Sequence, residues 1–461
     1  MKTRVLITGG AGFIGSHAAD LLLAQGYDVA ILDSLVAQVH GEEAAKTGDW
    51  PEWTLDQVGN GLRHVYLADV RDRTQVAAAL VNFRPHVVVH LAAEVGVGQA
   101  EVEIERYVDA NVRGTAVLLE EILRANDTVQ DSDDGVRRLV VAGSMSSYGE
   151  GAWTCPIHGL QRATRTAVDL ASGIWAPRCF GPALEGGAGA CEAAEPMAPA
   201  PVQEWASLRP LGVYAATKRD AEDLSLLVAR ARGLSVAVTR FFNVYGPRQA
   251  ISNPYTGVCA IFAGRVLRGR APLVYEDGGQ LRDFVHVSDV ARAIGVLCGN
   301  PETALAMRKW ADPRTQGPFN VGTGIGTSIL RVAELACEEL GTQLVTGAEI
   351  VDGEIRPVST EPAIRPEVTG LFRTGDVRAC LAAATVADGS PSRIGALGWQ
   401  PTITADGPDG GLRHLFRSWR GTIPDGDLDA AHTQIERAGL LHRPVSAVDE
   451  EPAPAGNRWG G

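Results

Sequence analysis

Two residues four positions apart, Tyr214 and Lys218, form a pair that could perform acid–base chemistry. The apolar spacing of Ala221, Leu224 and Val228 predicts a helix here, on which both side chains share one face. A lysine ammonium beside a phenol favours the phenolate, so the spacing predicts a lowered pKa for Tyr214. A phenolate can take a proton from a substrate hydroxyl. By itself, however, such a pair more often belongs to an ordinary helix surface.

A serine, Ser144, lies just beyond the apolar strand predicted over residues 139–142. Ligands of open α/β sheets bind beyond the carboxyl ends of the strands. A lone serine at such a position is uninformative. Together with Tyr214 and Lys218 it favours a catalytic site.

A glycine-rich turn near the start of the chain could bind a dinucleotide. The apolar run Val5-Leu6-Ile7 predicts a buried strand, and Gly9, Gly12 and Gly15 follow it before a helical pattern begins. Glycines let the backbone approach a pyrophosphate, which the N–H groups and the positive end of the helix attract. The alternative is a turn without a ligand. Asp33 ends the next predicted strand, about 20 residues later, where a carboxylate can accept the ribose hydroxyls and repels a 2′-phosphate. The sequence therefore favours NAD over NADP.

Further strand ends point to the same edge of a sheet. Asp69-Val70 follows a short strand and could hold the adenine edge or cap the next helix. Leu91-Ala92-Ala93 ends an apolar strand, where small residues leave room for a dinucleotide or simply pack tightly. Strands alternating with helices predict an α/β fold, a doubly wound parallel sheet of Rossmann type. Residues 34–60 have no clear period, which predicts a loop over the cofactor or active site.

The bulk composition limits the possible partners. Of the 461 residues, 45% are hydrophobic and 21% charged, as is typical of a globular protein. The net charge of −13 argues against nucleic acid or an anionic membrane surface as a partner. The sequence contains no apolar run of roughly 18 residues, so we expect no membrane span. The 7 cysteines are scattered, which predicts a reduced, cytoplasmic enzyme.

Together, these residues and several later motifs resemble the extended short-chain dehydrogenase/reductases of the NAD-dependent epimerase/dehydratase family, which act on nucleotide-diphosphate sugars. The matching motifs, in the order that such proteins use, are Thr8-Gly9-Gly10-Ala11-Gly12-Phe13-Ile14-Gly15, Asp69-Val70, Leu91-Ala92-Ala93, Asn111, Ser144 with Tyr148-Gly149, Tyr214 with Lys218, and residues 240–248, 282–287, 319–322, 372–377 and 397–399. The resemblance implies an NAD-binding Rossmann domain over residues 1–246. It also implies a smaller C-terminal α/β substrate domain over residues 247–420, with some return to the sheet.

The resemblance also implies a role for each matching residue. The implied catalytic residues are Ser144, Tyr214 and Lys218. The implied NAD-binding residues are Gly9, Gly12, Phe13, Ile14, Gly15, Asp33, Ser34, Asp69, Val70, Leu91, Ala92, Ala93, Asn111, Tyr214 and Lys218. The implied ligands of the nucleotide diphosphate or its sugar are Ser144, Met145, Asn243, Arg282, Arg373 and Asp376. Two arginines from distant segments can clamp a pyrophosphate, although each could instead form a surface ion pair, such as Arg282 with Asp283.

The first step implied by the resemblance is oxidation of the sugar at C4. Tyr214 removes the hydroxyl proton, and Ser144 hydrogen-bonds the oxygen. A 4,6-dehydratase usually carries Asp-Glu after the serine or threonine, whereas this chain has Met145 and Ser146, which cannot do that acid–base work. A 4-epimerase needs no further acid or base, so we predict epimerisation.

The identity of the sugar rests on weaker signals. Residues 38–41, 95–99 and 144–146 look most like those of bacterial enzymes grouped with dTDP-L-rhamnose 4-epimerase. The alternatives are a UDP-hexose or UDP-uronate 4-epimerase and a UDP-glucuronate decarboxylase. A non-catalytic dinucleotide-binding protein is a further alternative, but such proteins tend to lose the catalytic set that this chain keeps.

An insert over about residues 150–210 departs from the family pattern. It is rich in Gly, Ala and Pro and contains Cys155, His158, Cys179 and Cys191. A Cys-x-x-His motif followed by two cysteines could form a four-ligand zinc site. However, the second pair is not Cys-x-x-Cys, and residues 186–201 look flexible. The sequence therefore favours reduced cysteines in a loop flap and no metal.

The remaining predictions concern the end of the chain and its assembly. Residues 421–461 mix Pro, Gly and charge, which predicts a flexible tail with one short helix over residues 430–441. We expect a homodimer formed through the helices that bear Asn111 and Tyr214. The expected small-molecule partner is a nucleotide-diphosphate sugar.

Overall fold

Most of the predicted cofactor-binding residues lie at or just beyond the ends of strands that form a seven-stranded sheet in the computed structural model. The structure describes residues 2–129, 135–162, 164–179, 191, 196–251, 253, 257–299, 316–341, 348–351, 354–357, 364–373, 376–383, 392–407, 410–422 and 429–444. The strands of the main sheet are β1 (Arg4–Thr8), β2 (Asp28–Asp33), β3 (His64–Leu67), β4 (Val87–His90), β5 (Arg138–Ser144), β9 (Ser235–Phe241) and β13 (Gly317–Val321). Their order is β13-β9-β5-β4-β1-β2-β3, and every pairing is parallel.

Helices and short turns connect these strands. The helices are α1 (Phe13–Ala24), α2 (Ala37–His40), α3 (Glu42–Thr47), α4 (Glu52–Gly59), α5 (Arg73–Phe83), α6 (Val97–Ala100), α7 (Ile104–Tyr107), α8 (Gly114–Thr128), α9 (Ala167–Ala171), α10 (Val213–Arg232), α11 (Val258–Leu267), α12 (Val287–Cys298), α13 (Ile329–Leu340), α14 (Leu412–Ser418) and α15 (Ala430–Arg437). A π-helical turn spans Val108–Arg113, and 3₁₀ turns span Met145–Tyr148 and Gly395–Leu397.

The main sheet is covered on both faces. Val5 and Ile7 of β1 pack into one apolar core with α1 and α12, whereas Leu6 between them packs into another with α5, α8 and α10. This alternation follows from the side chains of a strand pointing to opposite faces. A parallel sheet with both faces buried confirms the predicted α/β fold of Rossmann type.

A second sheet combines strands of the insert with strands in or next to the predicted substrate domain, residues 247–420. We call this domain the substrate side of the molecule. Its strands are β6 (Ala152–Cys155), β7 (Gly159–Arg162), β8 (Ala198–Val202), β10 (Asn243–Tyr245), β12 (Leu281–His286), β14 (Gly326–Ser328) and β19 (Ala379–Ala382). The order is β10-β12-β19-β8-β6-β7, with β14 paired to β12. Strands β6, β7 and β8 belong to the insert, so the insert extends the sheet that begins at β10.

The other strands form three short pairs. They are β11 (Leu273–Val274) with β17 (Glu367–Val368), β15 (Ala348–Val351) with β16 (Glu354–Pro357), and β18 (Phe372–Arg373) with β20 (Leu441–His442). A third apolar core unites α11, α13 and α14. The predicted domain bounds at residues 246 and 420 stay predictions.

Three expectations about irregular segments need correction. Residues 34–60 contain helices α2, α3 and α4 rather than only a loop, and Trp50 and Trp53 pack on the main core. Of residues 186–201, predicted to be flexible, residues 186–190 and 192–195 lie outside the described residues, whereas residues 198–201 form part of β8, paired between β6 and β19. The helix predicted in the tail is present as α15, but β20 then pairs with β18. Residues 423–428 and 445–461 of that tail lie outside the described residues. No described helix is both long and apolar enough to cross a membrane.

Candidate active site

The glycine-rich turn after β1 brings the backbone close to the end of β4. Gly9 has a φ of 67°, and a Cβ there would lie 2.6 Å from the backbone nitrogen of Ala92. A Cβ on Gly15 would overlap the carbonyl oxygen of Gly9. Only glycine fits at these two positions without a shift of the backbone, so the turn is a close-packed cradle.

Asp33 ends β2 beside this turn and is held by backbone N–H groups. Its Oδ2 accepts a hydrogen bond from Ala11 at 2.9 Å, and its Oδ1 accepts one from Leu35 at 2.9 Å. His40 Nε2 lies 3.6 Å from the same Oδ1. The carboxylate predicted to favour NAD is therefore held in a defined position at the end of the strand.

A cavity of about 790 Å³ lies along the carboxyl ends of the strands. Its volume is within the range of cofactor and small-molecule sites. All the predicted NAD-binding residues except Asn111 line it: Gly9, Gly12, Phe13, Ile14, Gly15, Asp33, Ser34, Asp69, Val70, Leu91, Ala92, Ala93, Tyr214 and Lys218. The glycine cradle, the fixed carboxylate and the volume together fit a dinucleotide.

Asn111 lies behind the cavity wall and connects two of its elements. Its Oδ1 accepts from the Glu94 N–H at 2.8 Å, and its Nδ2 donates to the Glu94 carbonyl at 3.1 Å. Nδ2 also lies 3.1 Å from Thr217 Oγ1 on α10. The asparagine thus ties the segment after β4 to the helix that bears Tyr214 and Lys218.

The predicted catalytic residues meet at the end of β5. Ser144 is the last residue of that strand, and its side chain is hydrogen-bonded to Tyr214. Ser144 Oγ also accepts from the Ser146 N–H at 3.2 Å and donates to Ser146 Oγ at 3.1 Å. Lys218 follows one turn after Tyr214 on α10, and both line the cavity. The structure therefore brings Ser144, Tyr214 and Lys218 to one wall.

The pKa of Tyr214 shifts in the direction opposite to the one predicted from its spacing with Lys218. Burial raises the pKa of Tyr214 to about 12, and the hydrogen bond with Ser144 only partly opposes this effect. Burial also lowers the pKa of Lys218 to about 8. Desolvation dominates at both groups because neither charge is exposed to water. The expected lowering of the tyrosine pKa is therefore wrong.

The predicted substrate ligands divide into two groups. Ser144, Met145 and Asn243 line the large cavity. Arg282, Arg373 and Asp376 are not among its lining residues in the described part of the chain, because their side chains contact other protein groups. Arg282 donates to the carbonyls of Leu281 at 3.0 Å and Val377 at 2.9 Å.

Arg373 and Asp376 are engaged with each other. Arg373 Nε lies 3.0 Å from Asp376 Oδ1. Asp376 lines a neighbouring cavity of about 370 Å³, between the insert and the substrate side. To bind a diphosphate, Arg373 would have to exchange this carboxylate for the ligand.

The sequence analysis assigned no ligand-binding role to Arg248, a cationic residue of the cavity wall. Arg248 lines the large cavity, and its guanidinium lies 5.4 Å from the ring centroid of Trp53 and 2.7 Å from Asp20 Oδ2. The signal that could have found it was its place at the end of the motif over residues 240–248. A cation on the cavity wall can contact an anionic ligand.

A buried ion network joins the insert to the substrate side and was also not predicted. Arg165 Nε lies 2.7 Å from Glu150 Oε1, and Arg165 Nη1 lies 2.6 Å from Glu276 Oε1. Arg378 Nη1 lies 2.9 Å from Glu276 Oε2, and its backbone N–H donates to Glu150 at 2.7 Å. Burial nevertheless raises the pKa of Glu150. No local sequence pattern indicates such pairing, because the partners lie up to 228 residues apart.

The four potential metal ligands of the insert form a separate cluster. Cys155, His158, Cys179 and Cys191 each place one ligand atom within 4.8 Å of the others. The sequence favoured reduced cysteines in a loop flap without a metal. Their convergence argues against the flap interpretation.

Comparison with known proteins decides the family. The sequence model of the "NAD dependent epimerase/dehydratase family" matches residues 5–166 and 187–322, which is more than half of the chain. The chain belongs to this family. The family assignment confirms the resemblance stated above, and the cofactor of this NAD-dependent epimerase/dehydratase family member is NAD.

Individual relatives agree with the family assignment. The chain is 30% identical to dTDP-L-rhamnose 4-epimerase of Burkholderia thailandensis over 406 residues, 86% of this chain and 90% of the relative. It is 28% identical to UDP-N-acetyl-alpha-D-glucosaminuronate decarboxylase of Bacillus cytotoxicus, over 72% of this chain and 79% of the relative. Among solved structures, the UDP-glucose 4-epimerase of Thermus thermophilus in complex with NAD is similar with a TM-score of 0.59 and 27% identity, covering 91% of this chain and 100% of that one.

Proposed function

We propose that the protein is an NAD-dependent nucleotide-diphosphate-sugar 4-epimerase, an isomerase that oxidises the sugar at C4 to a ketone and reduces it on the opposite face. The observation that carries this proposal is the cavity wall at the end of β5. Ser144 is hydrogen-bonded to Tyr214, and the two residues that follow, Met145 and Ser146, offer no carboxylic acid for a dehydration.

Tyr214, Ser144 and Lys218 have separate roles in the oxidation of the sugar at C4. NAD, when bound, supplies the chemistry of accepting and returning a hydride. Tyr214 accepts the proton of the C4 hydroxyl and later returns it. Ser144, already hydrogen-bonded to Tyr214, holds the sugar oxygen next to that phenol. We infer that the ammonium of Lys218, one turn after Tyr214 on α10, favours the phenolate against the opposing effect of burial.

The glycine turn and the strand ends would hold the cofactor. Gly9, Gly12 and Gly15 allow the backbone to approach the pyrophosphate, and Asp33 accepts the ribose hydroxyls. Asp69 and the other lining residues complete this half of the cavity. Asn111 acts indirectly, by positioning α10.

We also propose that the nucleotide diphosphate and its sugar contact Met145 and Asn243 on the cavity wall, together with Arg282, Arg373 and Asp376. Met145 and Asn243 already line the cavity. The other three would exchange their present protein partners for the substrate, since Arg373 and Asp376 are paired with each other. The net charge of −13 makes such a local cationic clamp necessary for an anionic ligand.

For the substrate we propose dTDP-L-rhamnose. The support is the similarity to dTDP-L-rhamnose 4-epimerase, at 30% identity over most of both chains. A UDP-hexose or UDP-uronate is the second candidate, because the Thermus thermophilus structure with a TM-score of 0.59 is a UDP-glucose 4-epimerase. Decarboxylation of a UDP-glucuronate and non-catalytic dinucleotide binding are the other possible outcomes of the test.

The experiment is turnover of a panel of nucleotide sugars by the purified protein, followed by nuclear magnetic resonance of the products. The panel contains dTDP-L-rhamnose, UDP-glucose and UDP-glucuronate. We expect a mixture of dTDP-L-rhamnose and its C4 epimer, with no net reduction of the bound cofactor. Loss of carbon dioxide or water would contradict epimerisation. Absence of any reaction across the panel, together with bound NAD, would favour a dinucleotide-binding protein.

A further inference from the structure

Four side chains of the insert converge at one point outside the large cavity. Cys155 ends β6, His158 lies in the turn that leads to β7, and Cys179 and Cys191 follow later in the chain. All four ligand atoms lie within 4.8 Å of one another. None of the four is among the residues that line the large cavity in the described parts of the chain.

Four of the six ligand-to-ligand separations match the edges of a metal-centred tetrahedron, and the other two are within 4.8 Å. The Sγ atoms of Cys155 and Cys191 are 3.5 Å apart, and His158 Nδ1 lies 3.6, 3.4 and 3.4 Å from Cys155, Cys179 and Cys191. Tetrahedral zinc, with Zn–S of about 2.3 Å and Zn–N of about 2.0 Å, separates sulfur from nitrogen by about 3.6 Å and sulfur from sulfur by about 3.8 Å. A disulfide would need an S–S distance of about 2.05 Å. None of the three cysteines is in a disulfide.

The turn from Cys155 to His158 is also shaped to hold a thiolate. Backbone N–H groups of His158 and Ile157 donate hydrogen bonds to the Cys155 sulfur. Gln161 Nε2 donates to the His158 carbonyl at 2.8 Å and braces the turn. Thiolate is the form of cysteine that binds a metal.

We propose that Cys155, His158, Cys179 and Cys191 bind one Zn²⁺ ion as a structural site. Four protein ligands complete the tetrahedral coordination and leave no open position for a substrate, as in structural rather than catalytic zinc sites. Three thiolates and one imidazole are soft and borderline ligands, which suit zinc better than magnesium or calcium. This assignment replaces the sequence-based expectation of no metal.

The ion would fasten the insert to the substrate side of the molecule. Cys155, with Trp153 and Met197, packs against Ala379 of β19, and Cys179 and Cys191 pack on the same cluster. Zinc at this point would tie the segments at residues 179 and 191 to the β6–β7 hairpin. Since β8 of the insert pairs with β19, the metal would stabilise the edge of the second sheet.

The test is the metal content of the full chain, purified without chelators from zinc-supplemented cells and measured by mass spectrometry of the elements. We expect about one zinc per chain, and a loss of roughly tenfold or more in Cys179→Ser and Cys191→Ser. The matched control is Cys337→Ala, which removes a buried thiol on α13 outside the cluster and should keep the zinc. Replacement by Co²⁺ should give the sulfur-to-cobalt charge-transfer absorption of a thiolate site.

A second measurement does not depend on the folding of a variant. Titration of the wild-type thiols with a mercurial reagent should release zinc stoichiometrically. Zinc below about a tenth of an equivalent in the wild type, equal zinc in Cys179→Ser and the wild type, or iron in place of zinc would overturn the proposal. The outcome is distinguishable from failure of the proposed reaction, because metal content is measured without any sugar nucleotide.

Discussion

At the scale of single residues, the site combines a buried phenol with a buried amine, and both are less readily charged than in water. The pKa of Tyr214 is raised to about 12 and that of Lys218 is lowered to about 8, in each case by burial. Such opposed shifts are typical of residues that function at the cost of stability. The buried charge of Lys218 therefore lowers the free energy of unfolding, while the same charge serves the proposed reaction.

The destabilisation caused by the buried charge of Lys218 can be measured with the variant Lys218→Met. Because the pKa of Lys218 falls from 10.5 to about 8 on folding, the unfolded chain binds the proton more tightly than the native one. The penalty is fully present below pH 8 and fades as the pH rises towards 10.5. We expect Lys218→Met to raise the free energy of unfolding of the cofactor-free protein by about 3 kcal/mol at pH 7. Its advantage should shrink as the pH rises towards 10.

Urea unfolding at several pH values provides this measurement. The matched control is Lys46→Met, since Lys46 has a side chain that is 70% exposed and should give a small, pH-independent change. An equal stabilisation by Lys218→Met at pH 7 and at pH 10 would show that the effect comes from packing rather than from charge.

At the scale of elements, the insert is part of the architecture. Its strand β8 pairs with β19, and Arg165 brings it into the buried network with Glu150 and Glu276. Removing one partner of a buried ion pair leaves a charge without compensation. The insert and the substrate side should therefore be coupled in stability.

Arg165→Met tests this coupling. We expect a loss of about 3–5 kcal/mol in the free energy of unfolding, because Glu150 and Glu276 would be left buried with one cation fewer. Arg232→Met is the control, because the Arg232 side chain is 48% exposed and pairs with Asp127, which is 69% exposed, and such surface pairs contribute less than about 1 kcal/mol. Similar losses in the two variants, measured by denaturant unfolding, would contradict the coupling.

The elements that the sequence predicted well are those with local signals. The run Val5-Leu6-Ile7 and the glycines after it identify β1, the turn and α1, because apolar periodicity and glycine geometry act within a few residues. The placement of Ser144 beside Tyr214 followed from the family motifs. The pairing of β8 with β19 did not, because strand register between segments far apart is decided by tertiary packing. The pKa of Tyr214 was also misjudged, since spacing alone carries no information about burial.

At the scale of the whole molecule, apolar side chains are exposed near the helices that bear Asn111 and Tyr214. Val108 is 44% exposed in the π-helical turn, and Leu227 is 59% exposed on α10. Exposed apolar groups can mark an interface between chains. We propose that two copies of the chain associate through this face.

Light scattering after size-exclusion chromatography measures the assembly. We expect a mass of about twice the chain mass of 48.7 kDa. Val108→Asp and Leu227→Glu should shift the protein towards a monomer, because a charge would be buried at the interface. Val168→Glu is the control, at a 75% exposed position on α9 of the insert. A monomeric wild type, or a dimer indifferent to both variants, would contradict this assignment.

The central claim of this account is that Tyr214 exchanges the proton of the sugar hydroxyl beside bound NAD. Tyr214→Phe removes only the hydroxyl from the cavity wall. The matched control is Tyr107→Phe, since Tyr107 is a buried neighbour with its ring centroid 6.4 Å from that of Tyr214. The Tyr107 hydroxyl donates a hydrogen bond to Gln99. The decisive measurement is the C4 epimerisation rate of the two folded, NAD-loaded variants. The account predicts a fall in kcat of about 10²–10⁴-fold for Tyr214→Phe and a near wild-type rate for Tyr107→Phe. A wild-type rate in Tyr214→Phe would contradict it.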